Sequence, residues 1–290
     1  MCIKWKNLLI ILGATLLLSS CEKVIDVEVD KEEPLLVVDA FINNDTTEQQ
    51  IILKYSQPYF ENGDAKPAIG ALVNVISAAG DTFHFFDINN SGVYSWNISP
   101  GDSICKTGNG YKLQIDFLGS TYEASSFVNV APALDSIKFF ENKDFQGNPD
   151  GYTAEFYAND PAGQFDFYRI KTYRNDTLFN KSSDLKVSVN GGQFYPGYDG
   201  ALFIRPTRSA INRNGEPYQL GNKVKVELWS ITRDTWDYFS EVSSQINNQG
   251  LFATPTANVR TNIIKTSGNG PLVQGWFCAS ALTRIEGIVK

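Results

Sequence analysis

Tyr111, Leu113, Ile115 and Phe117 alternate with Lys112, Gln114 and Asp116. A strict period of two is satisfied by an extended strand with one face buried and one wet, and by little else. The pattern recurs at Tyr152, Ala154, Phe156 and Ala158, and at Leu185, Val187 and Val189. It recurs again at Val224, Val226 and Leu228, set against Lys223, Lys225 and Glu227. Apolar-in, polar-out alternation belongs to antiparallel sheets rather than to the doubly covered strands of parallel α/β folds. Turn signals separate the strands: Asn90-Ser91-Gly92, Pro100-Gly101-Asp102, Gly108-Asn109-Gly110, Asn148-Pro149-Asp150-Gly151, Asn190-Gly191-Gly192 and Asn214-Gly215. The expected fold is mostly β, with two antiparallel β-sandwich-like domains.

One segment departs from that period. Between Thr232 and Gln249, Trp236, Phe239, Val242 and Ile246 fall at helical spacing. Thr232 suits an N-cap, Asp234 the first turn and Gly250 the stop, which predicts one short helix near 233–248 with its aromatic stripe on a sheet. The stretch Val130-Ala131-Pro132-Ala133 lies between two predicted strands and is the expected domain boundary. Residues 34–131 then form a first sandwich and 132–290 a second β domain carrying the helix. In the first, Gly70-Ala71-Leu72-Val73-Asn74-Val75 and Gly92-Val93-Tyr94 resemble small sandwich domains of the transthyretin or carboxypeptidase-regulatory type. In those, a glycine turn is followed by an aromatic that plugs the end of the sandwich.

The N-terminus has the layout of an export signal. Lys4 and Lys6 precede an apolar run from Leu8 to Leu18, too short to span a bilayer. Leu18-Ser19-Ser20-Cys21 resembles a lipobox, in which cleavage leaves a cysteine free to carry a diacylglyceryl group. Residues 1–20 are thus read as a lipoprotein signal peptide, Cys21 as the lipid attachment site and 21–33 as a tether that could add an edge strand. Two or three acyl chains at about 0.8 kcal/mol per buried methylene would anchor the chain without a membrane-spanning helix. Loss of Lys4 and Lys6 takes the formal net charge from −7 to −9, a poor match for nucleic acid. Apart from Cys21, the exported chain keeps Cys105 and Cys278, which leaves open either a disulfide or two buried thiols.

Signals of catalysis are sparse. His84, in Thr82-Phe83-His84-Phe85-Phe86, is the only histidine and reads as a sheet residue. CxxC, GxSxG, P-loop and GxGxxG motifs do not occur, and nothing nominates a cofactor. Asn142, Asp144, Gln146, Asn148 and Asp150 alternate as in a calcium loop, but Tyr152 and Thr153 stand where the closing acid is expected, so a solvated turn is the better reading. Thr46, Ser103, Ser136 and Thr177 each follow an aspartate and resemble O-glycosylation sites of exported proteins. The loop Gln193–Gly200 offers Tyr195 and Tyr198 for stacking on a sugar, with Asp199 to bond its hydroxyls.

The order of these features resembles the lipoproteins of Bacteroidota grouped as domain-of-unknown-function family 4249. The resemblance runs from Cys21-Glu22-Lys23 and Pro34–Ile42, through the helix around Trp236-Asp237-Tyr238-Phe239, to Asn258–Ile263 and Gly275–Ser280. It brings no catalytic residue. It implies an outer-membrane lipoprotein, with the leaflet undetermined, that acts beside a TonB-dependent transporter. The expected role is therefore a non-enzymatic binding or accessory subunit of a nutrient-uptake or envelope complex. One alternative is an adhesin or pilin-like subunit that donates a strand such as Ile285–Val289. Another is a glycan-processing hydrolase with paired carboxylates brought together from distant strands.

Overall fold

The clearest period-two stretch forms the clearest hairpin. Strand β6 (Gly110–Phe117) buries Tyr111, Leu113, Ile115 and Phe117, and strand β7 (Ser120–Phe127) buries Ser120, Tyr122 and Ala124. Leu118 and Gly119 join them, both at positive φ (48° and 71°), so the two-residue turn follows the right-handed twist of the strands. The structure, a computed structural model, describes residues 33–290 except 59–60, 62, 98, 100–101, 143–149, 164, 190–198 and 249–256. The signal peptide, Cys21 and nearly all of the tether lie outside the described residues.

Two sheets and a hairpin account for the described strands. The second sheet runs β14 (Ile264–Ser267), β7, β6, β3 (Leu72–Ser77), β4 (Thr82–Phe85). The large sheet begins with β11 (Thr177–Leu178) and β12 (Lys186–Val189), both on one edge of β10 (Phe167–Arg174). It continues through β13 (Lys223–Ile231), β15 (Val273–Ile288), β1 (Leu36–Asn43), β2 (Gln49–Tyr55) and β5 (Val93–Trp96). Strands β8 (Ser136–Asn142) and β9 (Gly151–Tyr157) pair with each other. Among the described strands, only β1 and β15 are parallel.

The fold is mostly β and has two sandwich-like halves, but the chain does not part at 131–132. Pro34–Lys290 is one compact unit. The cause is β15, sixteen residues long. Its first half, Val273–Ser280, pairs with β1; its second half, from Ala281, pairs with β13. Strand β14 likewise returns to complete the second sheet beside β7. The connector is itself tied in, because Thr283 Oγ1 donates to the Pro132 carbonyl at 2.7 Å.

Where β15 leaves β1's territory uncovered by β13, side chains satisfy its open edge. Asn262 accepts from Phe277 N–H at 2.9 Å and donates to the Phe277 carbonyl at 2.8 Å. Ser126 Oγ accepts from Ala279 N–H at 3.0 Å, and Thr261 Oγ1 donates to the Gly275 carbonyl at 2.8 Å. An amide that mimics a neighbouring strand closes an edge that would otherwise invite pairing.

Three cores follow from the two faces of the large sheet. Between the sheets, Val38, Ala40, Leu53 and Phe277 meet Val75, Leu113 and Ile115. Tyr94 is buried in this core, its hydroxyl donating to Ala68 O (2.9 Å) and accepting from Ala71 N–H (3.0 Å). In the other half, Phe156 and Ala158 pack on Tyr168, Val226 and Leu228. On the opposite face lies the helix. A four-residue turn, α1 (Arg205–Arg208), precedes it in the chain, and the helix itself, α2, spans Arg233–Ile246. Thr232 caps it by accepting from Thr235 N–H, as expected. The buried face is shorter than the stripe suggested: Thr235 and Phe239 are buried, Trp236 packs on the core, and Ile246 is exposed because it lies past the sheet's apolar patch. Gly250 lies outside the described residues.

Gly275 sits at φ +112° where β15 crosses β1, and a Cβ there would fall 1.9 Å from the Val38 carbonyl oxygen. Gly275→Ala must push the parallel pair apart, and the expected loss is about 2–3 kcal/mol. Urea unfolding followed by tryptophan fluorescence checks it; an unchanged midpoint would show that the pairing has slack.

Candidate functional site

The residues nominated from sequence scatter. Tyr195 and Tyr198 lie outside the described residues. Asp199 is described, and both its carboxylate oxygens accept from the Gly163 N–H (3.1 and 2.9 Å), so it holds a loop. Thr46 and Thr177 are exposed, at a turn and at the start of β11, whereas Ser103 and Ser136 are half-buried. His84 lies exposed on β4 with Nδ1 2.7 Å from Asn74 Oδ1. Of the calcium-like loop, 143–149 lie outside the described residues.

Cys105 and Cys278 are free and buried. They belong to different cores: Cys105 lies between the sheets with Phe277 and Ala279, while Cys278, on the opposite face of β15, lies in the core beneath α2. Burial pushes both thiols up, Cys278 to about 11. They therefore serve as small core residues. The segment Ile285–Val289 is no loose strand either. Ile285 pairs with Val226 and Ile288 with Lys223, and Val289 N–H donates to the Asn222 carbonyl.

Two polar arrangements went unrecognised in the sequence. The first is the wet face of the large sheet beside α2. Arg169 stands 4.2 Å from the Phe239 ring centroid and 5.5 Å from that of Phe41, sandwiched under the helix. Lys171 Nζ lies 3.9 Å over the Trp229 ring. Glu227, one strand over, accepts from Tyr173 Oη (3.1 Å) and Trp229 Nε1 (3.3 Å) and pairs with Lys225 at 3.6 Å. Desolvation and the neighbouring Arg169 push the Lys171 ammonium down to about 8, against the pull of Glu227 and Asp39. Loss of solvent raises the Asp39 carboxyl, while Arg169, Lys171 and Lys54 draw it back.

Because the Lys171 pKa is depressed in the folded state, its charge opposes folding at and below about pH 8. That opposition fades as pH climbs from about 8 toward the free-amine value near 10.4. Lys171→Met keeps the stem on Trp229 and removes the charge. The stability of wild type relative to the variant should therefore rise between pH 8 and 10, and denaturant titrations at pH 7, 9 and 10 read that trend. A constant difference would mean that Lys171 is well solvated.

The second arrangement is a recess of about 520 Å³ between β9, β12 and α1. Glu155, Lys186, Ser188, Arg205, Thr207 and Asn212 line it. Asn212 builds the floor by acting as a strand partner for Ala154, accepting its N–H (2.8 Å) and donating to its carbonyl (2.7 Å). Glu155 is buried and held by Arg205 Nε at 3.0 Å and the Arg208 guanidinium at 3.2 Å, with Tyr157 Oη at 3.4 Å. Its oxygens are thus committed. Arg205 remains largely exposed, and with Lys186 it leaves the recess with an excess of positive charge and a ring of hydroxyls and amides. Such a lining suits a small anionic or hydroxyl-rich molecule, in a volume typical of ligand sites.

Glu155→Gln would strip Arg208 of its counter-ion while the guanidinium stays mostly buried. The expected cost is about 2 kcal/mol, seen as a lower thermal midpoint. No loss would place the weight of the recess on packing alone.

Among the described residues, no helix is long and apolar enough to cross a membrane. A family model described as "Domain of unknown function (DUF4249)" matches residues 22–286. No curated protein matches the chain.

Proposed function

From the premise that the chain belongs to the DUF4249 family, we propose that it is an outer-membrane lipoprotein. In this reading it is anchored through Cys21 and acts as a non-enzymatic binding or accessory subunit of a TonB-dependent uptake or envelope complex. The observation that carries the reading is the junction at the N-terminus. The apolar leader ends in Leu18-Ser19-Ser20-Cys21, and the family match opens at residue 22, immediately after the cysteine that would carry the lipid. The binding role rests on the recess between β9, β12 and α1. Its cations, hydroxyls and amides would hold a small polar or anionic solute by charge-assisted hydrogen bonds. Its one buried carboxylate is committed to two arginines, which favours binding over hydrolysis. The pilin-like alternative takes second place because its candidate donor strand is already paired.

The test is a mild-detergent pull-down of the tagged protein from its own envelope, read by mass spectrometry. Recovery of a TonB-dependent transporter in near-equal amount is expected, with Cys21→Ser releasing the protein from the membrane fraction. Recovery of the protein alone, or in ladders of itself, overturns the accessory role. Membrane retention of Cys21→Ser overturns the anchor.

A further inference from the structure

The loop that joins β9 to β10 holds two buried acids. Asp160 is 5 % exposed and Asp166 1 % exposed. The wholly buried Tyr168 donates its hydroxyl to Asp160 Oδ1 at 2.7 Å and also lies within hydrogen-bonding reach of Asp166. That shared hydroxyl places the two carboxyl groups side by side. Asp166 Oδ2 is buried and has no hydrogen-bond partner among the described residues. Burial and two neighbouring acids, Asp160 and Asp199, all act against its negative charge.

A buried carboxylate with an idle oxygen and acid neighbours is costly unless something positive neutralises it. Two remedies exist: a proton held between the acids, or a cation. The side-chain donors here are all oxygen atoms, from two carboxylates and a phenol. Oxygen-only sets favour hard ions over zinc or copper, and Ca²⁺ accepts irregular coordination completed by carbonyls and water. Asp199 is engaged with the loop, both its oxygens accepting from the Gly163 N–H. It adds field and fixes the loop. Accordingly, no group of three acid, histidine or cysteine side chains closes on a common point among the described residues. The side-chain ligands are two.

We propose that Asp160 and Asp166 form the carboxylate half of a calcium site that locks the loop between β9 and β10 onto Tyr168. The site is separate from the recess and stands whether or not the lipoprotein role does. Two carboxylates match the charge of the ion, and the idle Asp166 oxygen is its first ligand. The loop runs Asp160-Pro161-Ala162-Gly163-Gln164-Phe165-Asp166, so both ligands belong to one short segment that the ion would cross-brace.

The experiment follows thermal unfolding of the full chain in detergent at pH 8, first with chelator and then with calcium or magnesium at about 1 mM, within the range of extracellular calcium modules. Calcium should raise the midpoint by several degrees and magnesium should do much less. Asp166→Asn should abolish the calcium response while leaving the chelated midpoint at or above that of wild type, since the amide removes a buried charge. Calorimetric titration of chelated wild type should give one ion per chain, and it needs no variant to fold. Absence of calcium binding in that titration overturns the site. An equal calcium shift in wild type and Asp166→Asn also overturns it, by placing the ion elsewhere. A more stable Asp166→Asn with no calcium response in wild type assigns the pair to a shared proton instead.

Discussion

The pairing of β15 with both β1 and β13 holds the structure together. A strand normally commits each edge to one neighbour. This one pairs with β1 as far as Ser280 and with β13 from Ala281, so its sixteen residues serve two sandwiches in turn. Its inner face gives Phe277, Ala279 and Ala281 to the core between the sheets, and its outer face gives Trp276, Cys278 and Leu282 to the helix. Both cores therefore share a wall. Asn262, Ser126 and Thr261 replace the strand that is missing from its open edge.

Charge is arranged around this wall in three ways. Glu227 lies among Tyr173, Trp229 and Lys225, satisfied by neutral donors and one cation. Glu155 is answered by two guanidinium groups, one of which still faces solvent. Asp166, beside Asp160 and the Tyr168 phenol, keeps one buried oxygen without a hydrogen-bond partner among the described residues. A buried charge answered by fixed donors is scaffold, whereas one answered only in part is where a ligand gains most. That ordering separates the wet face, the recess and the β9–β10 loop by what each can still accept.

Much of the fold was legible because its signals are local. Period-two alternation located β6, β9 and β13, and the turn at Asn214-Gly215 fell where a turn occurs. Thr232 and Asp234 marked the helix start, because an N-cap acts on donors only a few residues away. The continuity of the unit across 131–132 is not legible in the sequence, because the partners of a strand are not written in its own residues. Val273–Ile288 is one extended run with no mark at the point where its neighbour changes. The sites were less legible for the same reason. Glu155, Lys186 and Arg205 come from β9, β12 and α1, and their meeting depends on how β9 is laid against α1 and β12. Asp199 stands out in sequence by its aromatic neighbours, whereas its tie to Gly163 depends on the fold.

The parallel pairing of β1 with β15 joins opposite ends of the compact unit. A ribosome or an export channel delivers β1 first and β15 last. Until the final strand emerges, the first has one edge unfilled and the core between the sheets lacks Phe277 and Ala279. Assembly is thus slow to close, as for any topology dominated by contacts distant in sequence. The chain has no early resting point at which its N-terminal half is finished. A copy shortened by its last twenty residues would lose the centre of the molecule rather than its end.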